Sequence, residues 1–257
     1  MNLRNNIKPF IIAGPCSMES EELCIDIAKT LDSICHKYGF TYIFKSSFDK
    51  SNRTSANSFR GPGLTKGIKI LDKVRQFTQY TTTDVHEPGQ SKAVSPVVDI
   101  IQIPAFLARQ TNLLIEAGET GKWVNIKKPQ FLSADKMIHV VNKVKSTENQ
   151  NIILTERGTM HGPSDIVVDF RNIIEMKSFN DLVVIDATHS CQKLLPGNHT
   201  SGNRSFAPFF AKAGVLFGAS GVFLEVHPNP DKGLSDPQTM INYEMFDQIL
   251  SDLSNEN

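Results

Sequence analysis

Short apolar or β-branched runs recur along the chain, each closing on a turn signal or an ionisable residue. Eight stand out: FIIAG (10–14), TYIFK (41–45), YTTTDV (80–85), DIIQI (99–103), WVNIK (123–127), NIILTE (151–156), LVVID (182–186) and GVFLEV (221–226). Their length and composition predict strands. Most of the intervening segments have helical periodicity. ESEELCIDIAKTLDSICHKYG predicts a helix capped by Ser20 and stopped at Gly39. LTKGIKILDKVRQF and SADKMIHVVNKVKS predict two more, the latter with Ser133 as its cap. Eight strand–helix alternations without a break in composition predict an α/β fold, a (β/α)8 TIM barrel forming a single domain over residues 1–257. A doubly wound open sheet is the rival, but it wants fewer strands and a glycine-rich phosphate loop, and no GxGxxG or P-loop follows the first strand.

Composition narrows the function classes. The 27 basic and 27 acidic residues balance, so no overall field draws in nucleic acid or an anionic membrane. Any anion site must be a local cluster. The first ten residues lack the apolar core of a signal peptide, and no run is long enough to span a bilayer, so a cytoplasmic location is expected. The four cysteines form no CxxC pair. Cys24 and Cys35, about three helical turns apart, read as small core residues in a reducing compartment.

In a barrel of this kind the active site is built at the C-terminal ends of the strands. Those ends carry Cys16, Lys45, Asp84 with His86, Gln102, Lys127 with Lys128, Glu156 with Arg157, Asp186 with His189, and Glu225 with His227. Two clusters emerge. Lys45, Lys50, Arg53, Lys127 and Arg157 form a basic set suited to a small polyanion, because arginine binds phosphate or carboxylate as a fork and lysine as a point charge. Structural ion pairs with Asp84, Glu156 or Asp186 are the alternative for any one of them. Cys16, His189, Glu225 and Asp236 offer a thiolate, an imidazole and two carboxylates, a donor set for Zn2+, Fe2+ or Mn2+. A Schiff-base aldolase acting through Lys127 is a competitor, although it would want that lysine in an apolar pocket.

The motifs FKSSFDKSNRTS, FRGPGL, TDVHEPGQ, IQIPAFLARQT, NIKKPQF, ERG, DATHS and LEVHPNP resemble the 3-deoxy-D-manno-octulosonate 8-phosphate synthases over about residues 9 to 240. The resemblance implies a TIM barrel, usually a homotetramer. The implied reaction condenses phosphoenolpyruvate with D-arabinose 5-phosphate and releases phosphate, for the inner core of lipopolysaccharide. By the same resemblance Lys45, Lys50, Gln102, Ala105, Lys127 and Arg157 bind phosphoenolpyruvate. Asn52, Arg53, Thr54, Ser201 and Arg204 bind the pentose phosphate. The family segment Lys-Ala-Asn-Arg-Ser stands here as Lys50-Ser51-Asn52-Arg53-Thr54. Sister enzymes that use erythrose 4-phosphate typically read Lys-Pro-Arg there, so Asn52 favours the octulosonate reaction. Cysteine rather than asparagine at position 16 is similar to the metal-dependent class, with His189, Glu225 and Asp236 completing the ligands. Lys50, Asp84, His86, Lys127 and His189 are the implied catalytic groups, with no general acid or base assigned. The loops 158–165 and 196–206 depart from the family pattern, which leaves pentose phosphate binding open. A heptulosonate synthase and a non-catalytic sugar-phosphate-binding barrel are the alternatives.

Overall fold

A computed structural model of the chain describes residues 1–51, 57–161, 165–193 and 201–255. The expected strands form where the sequence places them. They are β1 (Phe10–Gly14), β2 (Tyr42–Lys45), β3 (Tyr80–Asp84), β4 (Ile100–Ile103), β5 (Trp123–Lys127), β6 (Ile152–Glu156), β7 (Leu182–Asp186) and β8 (Gly221–Glu225). All pair in parallel, and β1 pairs with both β2 and β8, so the sheet closes on itself. Around it run α1 (Glu21–Tyr38), α2 (Leu64–Val74), α3 (Gln90–Val94), α4 (Thr111–Glu119), α5 (Met137–Lys145), α6 (Arg171–Lys177), α7 (Ala207–Leu216) and α8 (Tyr243–Asn255). The architecture is the (β/α)8 barrel. Among the described residues, no helix is long and apolar enough to cross a membrane.

Local chemistry sets the helix ends. The Ser20 hydroxyl accepts from the Leu23 amide at 3.1 Å, and Gly39, at φ 72°, closes α1 in the left-handed conformation glycine tolerates. Cys24, Ile27, Ala28, Leu31 and Cys35 make its buried stripe, so both cysteines are core residues. Ser133 departs from expectation. Its hydroxyl donates to Asp135, and α5 begins at Met137 without a side-chain cap, after turns in which Lys136 and Met137 donate to the carbonyls of Ser133 and Ala134.

The strand register stacks the inward side chains in layers of four from alternate strands. Phe10, Tyr80, Trp123 and Leu182 form the floor, sealed by Leu3. Ile43, Ile100 and Ile153 come next, with Gly221 as the fourth member. Above them lie Ile12, Thr82, Asn125 and Val184, then Lys45, Gln102, Thr155 and Phe223. The top layer is Gly14, Asp84, Lys127 and Asp186. The interior therefore grades from hydrocarbon at the floor to charge at the mouth. The opposite side-chain parity packs against the helices in the larger apolar core.

Two glycines are dictated by space. A Cβ on Gly14 would meet the Lys45 carbonyl oxygen at 2.1 Å, and one on Gly221 would meet the Phe10 ring at 2.7 Å. Gly221→Ala is therefore an overpacking change at the floor, expected to cost about 1–3 kcal/mol. A lowered denaturant midpoint with the barrel still folded checks this; an unchanged midpoint would show that the ring yields freely.

Candidate active site

Strand parity decides which strand-end residues reach the mouth. Lys45, Asp84, Gln102, Lys127, Asp186 and Glu225 all occupy inward positions and are buried. Asp186 is the centre of one half. It accepts from Lys127 Nζ at 2.5 Å, His189 Nδ1 at 2.8 Å, and the backbone amides of His189 and Thr188 at 2.8 and 3.1 Å. Burial works against ionisation of Asp186, yet His189 and Lys127 hold its pKa far below the carboxylate range. Lys127 also lies 3.2 Å from the centroid of the Phe223 ring, a cation–π contact within the barrel. Burial pushes its ammonium down to about 8, against the opposing pull of Asp186.

The other half centres on Glu225. Its Oε1 is 3.4 Å from Lys45 Nζ and 3.9 Å from His189 Nε2, while its Oε2 is buried without a hydrogen-bond partner. Lys45 is held in turn by Ser47 Oγ at 3.0 Å and the Cys16 carbonyl at 3.4 Å. Donor atoms of Cys16, Glu225 and Asp236 all lie within 4.8 Å of one another. Cys16 Sγ is 2.7 Å from Ser235 Oγ and donates to Asp236 Oδ2 at 3.2 Å. Burial, then the neighbouring Glu225, raise its thiol pKa well above the usual value. Asp236 sits at φ 47°, a left-handed conformation uncommon outside glycine and often kept at functional positions.

The remaining expected residues fall into three groups. Arg157 reaches the mouth: Nη2 donates to Gln192 Oε1 at 2.7 Å, while Nη1 is buried without a partner among the described residues. A hairpin of Thr159–His161 and Asp165–Val167, extended by Gln192–Lys193 and Ser201–Gly202, carries Gln192 to that position. Lys50 is half-buried. Burial disfavours its charge, but Cys16, Glu225, Asp84 and Asp236 raise its pKa above the ordinary lysine value. His86 Nε2 lies 3.2 Å from Asp84 Oδ2, and Ala105 opens the short turn after β4.

Arg204 ties down a loop of this cluster. It donates to Asp231 at 2.6 Å and to the Pro237 carbonyl at 2.5 Å, bracing the loop that carries Asp236, while Ser201 pairs in the small sheet. Asn52, Arg53 and Thr54 lie outside the described residues.

Three rim assignments are corrected. Lys128 and Glu156 have the outward parity and pair with each other at 3.5 Å, fully buried behind the mouth. Lys128 there also donates to the carbonyls of Leu132 and Gly158 at 3.3 and 3.2 Å. His227 faces Glu19 at 3.8 Å and accepts from the Asn229 amide, so it shapes the β8 loop. Asp186, which the sequence places at a strand end, is brought to the centre of the mouth cluster. Its signal was available: it is the last inward position of β7, two strands from Lys127.

These features describe an α/β barrel whose mouth gathers buried cations beside a thiol–carboxylate donor set. The model of the DAHP synthetase I family matches residues 4–256, and the chain belongs to that family. It is similar to proteins named 2-dehydro-3-deoxyphosphooctonate aldolase. The one from Fusobacterium nucleatum is 49% identical over 244 residues, covering 93% of this chain and 87% of the relative. The one from Desulfatibacillum aliphaticivorans is 47% identical over 257 residues, covering 98% and 93%. That from Desulfotalea psychrophila is 44% identical over 248 residues, covering 95% and 88%.

The Lys127–Asp186 pair generates a pH prediction. Lysine is cationic below its pKa, so affinity for inorganic phosphate should fall as pH rises through about 8. Asp186 favours the Lys127 cation, and Asp186→Asn should move that fall to lower pH. Calorimetric titration across pH 6–9 reads both; an affinity flat across this range would remove Lys127 from the anion site.

Proposed function

We propose that the protein is a transferase that condenses phosphoenolpyruvate with D-arabinose 5-phosphate and water, giving 3-deoxy-D-manno-octulosonate 8-phosphate and phosphate. The carrying observation is the buried Arg157 Nη1, which has no partner among the described residues and lies among the mouth cations of a barrel whose relatives are named 2-dehydro-3-deoxyphosphooctonate aldolase. A buried guanidinium left partly unpaired is costly, and a phosphate or carboxylate oxygen from the ligand offsets that cost.

Lys45, Lys50, Gln102, Lys127 and Arg157, with the turn at Ala105, bind phosphoenolpyruvate. Asn52, Arg53, Thr54, Ser201 and Arg204 are the proposed contacts or supports for the pentose phosphate. C3 of phosphoenolpyruvate forms the new bond to the aldehyde carbon, and the aldehyde oxygen takes up a proton. Water adds its oxygen at C2, and phosphate departs with cleavage of its C–O bond. Fixed lysine and arginine charges stabilise the negative charge that moves between the two anions, and holding both substrates together supplies much of the acceleration. Asp84 with His86, and His189 with Asp186, are the pairs placed to hold or pass protons.

The donor chemistry fits a divalent ion: a thiol, a buried carboxylate with one unpaired oxygen, and a loop carboxylate converge, with His189 Nε2 beside Glu225. Asp186 on Nδ1 is the kind of support that orients a ligating histidine. Such an ion would supply Lewis acidity toward the pentose aldehyde. Cytoplasmic location, a homotetramer and a role in lipopolysaccharide synthesis belong to the same reading.

Phosphate release should be faster with arabinose 5-phosphate than with erythrose 4-phosphate; the reverse order would replace this reading with heptulosonate synthesis. Chelation should abolish turnover, and Mn2+, Zn2+ or Fe2+ should restore it. Full activity of rigorously metal-free protein would reject the metal while leaving the reaction intact. Phosphoenolpyruvate binding without turnover under any metal would indicate a non-catalytic barrel.

A further inference from the structure

The layer beneath the mouth holds two polar residues where hydrocarbon would fill the space. Thr82 and Asn125 share it with Ile12 and Val184, and all four are completely buried. Among the described residues, neither Thr82 Oγ1 nor Asn125 Nδ2 has a hydrogen-bond partner, and Gln102 Oε1, one layer higher on the strand between them, has none either. The register sets Gln102 directly beside Asn125 across the β4–β5 pair, and Asp84, whose Oδ1 is also unpaired, beside Gln102. Three adjacent strands thus carry a donor, a hydroxyl and two acceptors, each buried and unpaired among the described residues, at neighbouring inward positions. Thr155 on β6 donates to Asn125 Oδ1 at 2.7 Å, which fixes the carboxamide and leaves its NH2 group as the inward donor.

A buried polar group left unmatched is costly relative to a satisfied one. Donor and acceptors together match a single enclosed water, which needs two to four polar partners. We infer that Asn125, oriented by Thr155, is a positioning residue for the three-carbon anionic substrate: it acts through one enclosed water shared with Thr82 and Gln102 to fix the Gln102 carboxamide. This inference rests on the reading of the mouth as the phosphoenolpyruvate site. It adds a device two layers below Lys127 that touches no substrate.

Asn125→Leu, close in volume, removes the donor without opening a cavity. It should raise the KM for phosphoenolpyruvate about tenfold and leave the KM for arabinose 5-phosphate within about twofold; because it also leaves the buried Thr155 hydroxyl without its acceptor, a modest fall in melting temperature is expected with it. Thr155→Val should move the phosphoenolpyruvate KM in the same direction by less. Asn125→Asp keeps the shape but offers an acidic group to acceptors and to an anionic ligand, so it should weaken phosphoenolpyruvate more than the leucine variant does. Equal phosphoenolpyruvate affinity in wild type and Asn125→Leu would overturn the inference, as would an equal loss for both substrates. Calorimetric titration of phosphoenolpyruvate into each protein separates two failures. A wild type that does not bind rejects the substrate reading itself; a wild type and variant that bind alike reject only the role of Asn125.

Discussion

The organisation of the mouth depends on keeping one fully buried carboxylate, Asp186, ionised. Nothing about its burial favours that charge; it is held by Lys127, the His189 ring and two backbone amides. Each partner is fixed in return. Lys127 is kept directed across the barrel, and His189 is committed at Nδ1 so that Nε2 faces Glu225. Taking away this one carboxylate would leave a buried ammonium without its counter-charge and an imidazole free to turn, which is the costly way to break a buried pair.

The barrel interior explains how such a cluster is tolerated. Charge is confined to the layers nearest the opening, polar uncharged groups occupy the layers beneath, and the lower half is hydrocarbon. Phe223 bridges these regimes, since its ring face receives Lys127 while its edge belongs to the apolar interior. Lys128 and Glu156 show the same rule on the outside of the strands, where a buried pair binds the loops after β5 and β6 to each other.

The strands and the barrel were legible because short buried strands leave runs that helices interrupt at regular spacing, and residues such as Ser20 and Gly39 mark ends chemically. Ser133 misled because a serine also bonds within its own turn, and Asp135 supplied a nearer partner than the helix amides. At the site, Cys16, Lys45, Lys127, Arg157 and Glu225 were legible from their positions at strand ends. Parity separates Lys127 from Lys128 and Arg157 from Glu156, and a one-residue difference in register reverses the answer. What the sequence could not supply for Arg204 is its setting: its partners, Asp231 and the Pro237 carbonyl, come from a loop whose path the local sequence does not encode.

The pairing of Lys45 with Glu225 and of Lys127 with Asp186 means that these cations are stripped of water before any ligand arrives. Much of the dehydration that normally opposes anion capture has thus been met during folding. Counter-ions in bulk solution reach such enclosed groups poorly, because screening acts chiefly on exposed charge. A pocket of this construction, if it takes an anion as proposed, would hold it across a wide span of ionic strength, where a rim of solvated lysines would let go.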